Sequence, residues 1–74
     1  MAKDRDKLER LKSLLNYGID HNEEHQDEIE EWAELARDLS YKEAGKILSD
    51  ASDKLGEVTE HLSDALERLN EGGE

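Results

Sequence analysis

Along the first half of the chain, positions spaced alternately three and four residues apart form one stripe: Leu8, Leu11, Leu15, Gly18, Asn22, His25, Ile29, Trp32, Ala36 and Leu39. That alternation is the seam of an α-helix packed against a partner. A second stripe follows at the same spacing: Tyr41, Ala44, Leu48, Ala51, Leu55, Val58, Leu62, Ala65 and Leu69. Between them, Ser40 followed by Glu43 has the form of a capping box, with Leu39 and Ala44 as a weak hydrophobic staple. The pattern predicts helix 1 over about 4–38 and helix 2 over about 41–70, with Gly72 and Gly73 marking a frayed tail over 71–74. The whole of 1–74 reads as a single helical domain. An interior helical glycine costs up to ~1 kcal/mol relative to alanine. A break near Asn16–Gly18, giving a three-helix bundle, is therefore the alternative architecture.

So short a connection folds the helices back antiparallel. Residues equally far from the turn then face one another, at about 1.5 Å of rise per residue. The expected layers include Trp32 with Leu48, Ile29 with Ala51, His25 with Leu55, Asn22 with Val58 and Gly18 with Leu62. Several pair a large side chain with a small one, as interdigitation requires. On one flank Leu35 falls near Ile47, Glu28 near Lys54 and His21 near His61. On the other flank stand Ile19, Ala33 and Leu66. The apolar stripe is wider than a strict two-helix seam needs, which fits a four-helix bundle. The fold class expected is all-α: an antiparallel two-helix hairpin that dimerises into a four-helix bundle.

The first stripe is polar at its middle. Gly18, Asn22 and His25 occupy seam positions, with His21 beside them. Buried polar groups cost stability unless they are satisfied, so the interruption needs a reason. One reason is chemical. His21, His25 and Glu28 share a helix face at spacings of four and three, and the hairpin register brings His61 to the level of His21. Imidazoles with a carboxylate suit Zn, Ni or Co, and helical bundles build metal sites from such inward residues on facing helices. Asn22 and Glu24 would act as outer hydrogen-bonding partners. The other reason is structural: a hydrogen-bonded Asn22 and His25 would fix register and partner number, as polar seam residues do in coiled coils.

Composition narrows the field. Seventy-four residues bury little core, and chains this short often rely on a metal, disulfides or a partner subunit. There is no cysteine, which removes disulfides and thiolate sites. The only large rings are Tyr17, Trp32 and Tyr41, and association is the natural remedy for so thin a core. A formal net charge of −11 disfavours nucleic acid and anionic membranes as partners. No apolar run is long enough to span a bilayer or serve as a signal peptide, so a cytoplasmic location is expected. The acidic run from Asp20 to Glu31 reads as a solvated face, and it lacks the EF-hand loop pattern. Lys3, Arg5, Lys7, Arg10 and Lys12 would lie beside Glu67, Glu71 and Glu74. Trp32, next to Ile29, Leu35 and Ala36, reads as core.

Enzymatic activity is not expected. His21-Asn22-Glu23-Glu24-His25 matches the H-x-x-E-H pattern of inverted zinc proteases. Glu24, however, falls at an outward position, and a short hairpin has no room for a cleft. There is no phosphate-binding glycine loop, and the serines lack a base–orienter constellation.

The stretch from Leu14 to His25 resembles a pattern in small, uncharacterised prokaryotic helical modules, roughly L-L-x-H-W-I-x-H-N-x-E-H followed by a Trp-Ala pair like Trp32-Ala33. Some of these resemble modules attached to nickel-enzyme maturation proteins. The resemblance implies a helical hairpin over most of the chain and a metal-related role for His21, Asn22, Glu24 and His25. Tyr17 and Gly18 depart from the pattern, standing where it has His and Trp. The function expected is metal binding through the histidine layer, or else a non-catalytic association module, as a homodimer or with another protein.

Overall fold

The computed structural model describes the backbone of residues 2–72 and the side chains from Asp4 to Gly72. The remainder of the expected frayed tail, Gly73 and Glu74, lies outside the described residues. Two helices account for nearly all of it: α1, Ala2–Asp38, and α2, Lys42–Glu71, packed against each other as an all-α hairpin. α1 runs unbroken through Gly18, so the three-helix alternative does not occur. With no proline in the chain, a lone glycine costs too little to end a helix that is packed along its length.

The turn between the helices differs from the expected capping box. Ser40 takes a left-handed conformation, φ 70°. Its N–H donates to the Arg37 carbonyl at 2.9 Å, and the Tyr41 N–H donates to the Ala36 carbonyl at 2.8 Å. These two bonds are a Schellman motif that closes α1, with Ser40 in the place glycine usually holds. The cap of α2 is Tyr41, which makes no side-chain capping bond. Ser40 terminates α1 and does not start α2, and the staple that needed it at the cap is lost as well. At the far end Gly72 closes α2 at φ 73°, its N–H donating to the Leu69 carbonyl at 3.2 Å.

The vertical register is the expected one, since facing residues lie equally far from the turn. A Cβ placed on Gly18 would sit 3.7 Å from Leu62 Cδ1, one of the layers foreseen. Gly45 faces Ala33 and Arg37, and Gly56 faces Gln26. The helices are nevertheless rotated relative to the expected seam. Ala33 and Ser52 are fully buried at 0 % exposure, and Ile29 nearly so. Trp32 and Val58, expected in the seam, are 44 % and 47 % exposed. On α1 the contact row Leu15–Asn22–Ile29–Ala36 is joined by Ile19–Gln26–Ala33, while Leu11, His25 and Trp32 stand to one side. On α2 the row Leu48–Leu55–Leu62–Leu69 is joined by Gly45–Ser52–Thr59–Leu66.

Side-chain size explains the rotation. The row that won carries Ala33 opposite Gly45, and Gln26 between Ser52 and Gly56. Small residues let two backbones approach closely and gain dispersion contacts along their whole length. The approach is close enough that a Cβ on Gly45 would lie 3.2 Å from the Ala33 carbonyl oxygen. The Ser52 hydroxyl donates to the Gln26 carbonyl at 3.4 Å, a long bond that still satisfies a buried donor.

Candidate functional site

Rotation of the pair leaves one broad face uncovered among the described residues. On its opposite side, Arg37 donates to the Ser49 hydroxyl across the helix pair. That contact marks where the two outer rows beyond Ala33 and Ser52 meet. In an antiparallel pair the remaining rows must then lie together on the other side. Those rows carry Leu11, His25, Trp32 and Leu39 with Leu14, His21 and Leu35 on α1. On α2 they carry Ala44, Ala51, Val58 and Ala65 with Ile47, Lys54 and His61.

This face is open and apolar. Leu14 is 57 % exposed, Leu35 59 % and Ile47 65 %, and Trp32 and Val58 lie between them. It is also almost free of acid. The chain has 21 Asp and Glu. Between Lys7 and Leu39 on α1 and between Ala44 and Arg68 on α2, only Glu28 falls in these rows. The acids crowd the other sides, where water solvates them. The molecule is a slab whose Cα extents are 58 × 18 × 11 Å, one helix thick. Domains ordinarily bury an apolar helix face under a second layer; the described residues supply none.

The histidines lie on the same face and at its middle. Asp20 is the central residue of α1, and His61 lies as far from the turn as α1 does near its centre. A row of rings runs along α1. Tyr17 stacks on His21 with centroids 5.8 Å apart, His21 lies 6.3 Å from His25, and His25 meets Trp32 edge-on at 6.0 Å. His25 Nδ1 lies 4.0 Å from Glu28 Oε1. That is beyond hydrogen-bond length. His61 Nδ1–H donates to the Glu57 carbonyl at 2.7 Å. A carbonyl can only accept, so Nδ1 carries the proton and Nε2 holds the lone pair of the neutral ring. His61 borders an open groove with Lys54, Glu57, Val58 and Leu62.

The residues expected to form a metal site are thus on one face, and His21 and His25 neighbour each other. Among the described residues no group of three or more His, Cys, Asp or Glu is close enough to hold a metal ion. Asn22 is half-buried in the helix contact, and Glu24 is exposed. The basic N-terminal stretch shows Lys12 paired along its own helix with Glu9 at 3.8 Å. The expected neighbours Lys3 and Glu74 have no described side chains. Among the described residues no helix is long and apolar enough to cross a membrane. Sequence reasoning missed the buried contact of Ala33 with Gly45 and Ser52. Its signal was available as small residues recurring at seven-residue spacing on α2 beside the leucines.

No curated protein and no solved structure matches the chain. A family model does, over residues 11–69, a span that takes in the contact rows, the ring row and His61. The chain belongs to the family described as Domain of unknown function (DUF8180).

Proposed function

We propose that the protein is a self-association module, in which two hairpins pair through the open face to make a four-helix bundle. The observation that carries this reading is the segregation of charge: a chain of net charge −11 keeps a single acid among the central rows of one apolar face. Exposed apolar patches of this extent mark sites of association. The partner that fits is a second copy. Two faces of the same footprint, each with leucines beside alanines, offer large-to-small interdigitation. The apolar rows run from Leu11 to Leu39, about 42 Å at 1.5 Å of rise per residue, which over a width of 18 Å gives roughly 750 Å², close to the about 800 Å² per partner of a standard interface. Trp32 lies on the face and would be its largest anchor.

Sedimentation equilibrium over a wide concentration range tests the reading, with Trp32 emission recorded alongside. The expected result is a dimer with blue-shifted emission. Leu35→Asp, on the open face and away from the helix contact, weakens it and shifts the emission red. Thermal melting that depends on concentration is the companion signature, because association stabilises by mass action. A species of 8.5 kDa at all concentrations, with a melting temperature independent of concentration, would overturn the proposal.

A further inference from the structure

The histidine belt has a consequence if the hairpins pair as proposed, and this inference rests on that reading. His21 and His25 lie at the centre of the slab's length, and His61 lies at the same level on the neighbouring helix. A central position is special under two-fold symmetry. Whether the axis runs along the helices or across them, full overlap of the two faces sets the middle of one copy against the middle of the other. Residues near the ends would meet their own counterparts in one arrangement and not in the other. Each belt therefore meets the second belt.

We propose that the paired faces form a shared divalent transition-metal site, with His21 and His25 of each copy as imidazole donors, which neither copy holds alone. Two observations carry it. One turn of helix separates His21 from His25, and their rings already lie 6.3 Å apart on the open face. The outer groups are of the kind that ligating histidines use. Ligating imidazoles characteristically donate their second nitrogen to a carboxylate or a backbone carbonyl. His25 has Glu28 at 4.0 Å, and His61 already donates Nδ1–H to the Glu57 carbonyl, leaving Nε2 as the free donor. His61 is the further ligand on α2. Imidazole nitrogens select Zn, Ni, Co or Cu over Mg or Ca.

The test uses chelator-stripped protein titrated with Zn and then Ni. Calorimetry gives the stoichiometry, sedimentation gives the assembly, and NMR follows the imidazole signals. The expected result is one metal per two chains, joint shifts of the His21 and His25 rings, and a dimer dissociation constant lowered by about tenfold or more. His21→Ala and His25→Ala each abolish the tightening while the metal-free dimer persists. Two outcomes overturn the shared site and leave self-association standing. One is a metal-free dimer whose imidazole signals do not move. The other is one metal per chain with the dimer constant unchanged, the mark of a private chelate on α1. A chain that stays monomeric with and without metal removes the underlying reading, and this one with it.

Discussion

At the scale of single residues, the turn and the glycines have opposite signs. Ser40 holds a left-handed conformation at φ 70°, where a Cβ meets the following carbonyl. Glycine there removes a strain of roughly 1 kcal/mol, less what the freer unfolded chain regains. Ser40→Gly is expected to stabilise the hairpin by about 0.5–1 kcal/mol; for a chain of this size each kcal/mol is about 4–8 °C in melting temperature. Gly18 has room for a methyl group, with Leu62 Cδ1 at an ordinary 3.7 Å. Gly18→Ala should likewise gain about 0.5–1 kcal/mol from helix propensity. Denaturant melts at one fixed protein concentration check both, and a loss in either would show that the turn or the contact is read wrongly. Ser40 also marks a limit of the sequence. Ser-x-x-Glu reads as a helix start, but a serine can equally close the preceding helix. Which it does depends on where the Arg37 and Ala36 carbonyls find donors, and that is decided by the meeting of two helices.

At the scale of the elements, the helix boundaries, the hairpin and its register followed from periodicity and the distance from the turn, because 3.6-residue spacing and rise per residue are local properties. The rotation about each helix axis did not. Leu15, Asn22, Ile29 and Ala36 belong to both the expected and the observed seam; the choice lay between the row with Trp32 and the row with Ala33. Hydrophobicity favours the first. Close backbone approach favours the second, and periodicity alone does not weigh it. The placement of His21 and His25 together was legible from their spacing, whereas their exposure was not, because it follows from that rotation. The small-residue row is therefore where this interface is most sensitive. At Gly45 a Cβ would lie 2.8 Å from Arg37 Cγ and 3.2 Å from a backbone oxygen. Gly45→Leu is expected to cost about 1–3 kcal/mol by overpacking, more than its helix propensity returns. A Cβ on Gly56 would have the amide end of Gln26 as its nearest neighbour, at 3.0 Å, and that side chain can move. Gly56→Ala should be neutral or stabilising by up to ~1 kcal/mol. If the two substitutions behave alike in denaturant melts, close packing is not what sets the rotation.

For the whole molecule the governing quantity is charge. Two copies at −11 would repel each other at long range, and in the proposed dimer the acid-spared face would let them meet only at short range. Apolar burial between faces is insensitive to moderate salt, whereas repulsion between solvent-exposed carboxylates is screened, over a Debye length of about 10 Å at 0.1 M. The slab is 11 Å thick, so acids on its outer side lie near that distance from the pairing plane and farther from those of the second copy. Raising the salt from 10 mM, where the screening length is about 30 Å, to 0.3 M should therefore strengthen self-association. Sedimentation at the two salt concentrations reads the change directly. A basic protein partner bound through the acidic sides would respond with the opposite sign, since salt would screen its attraction. An association constant that falls as salt rises would place the working contact on the acidic surface and take it away from Trp32, Leu35 and Val58.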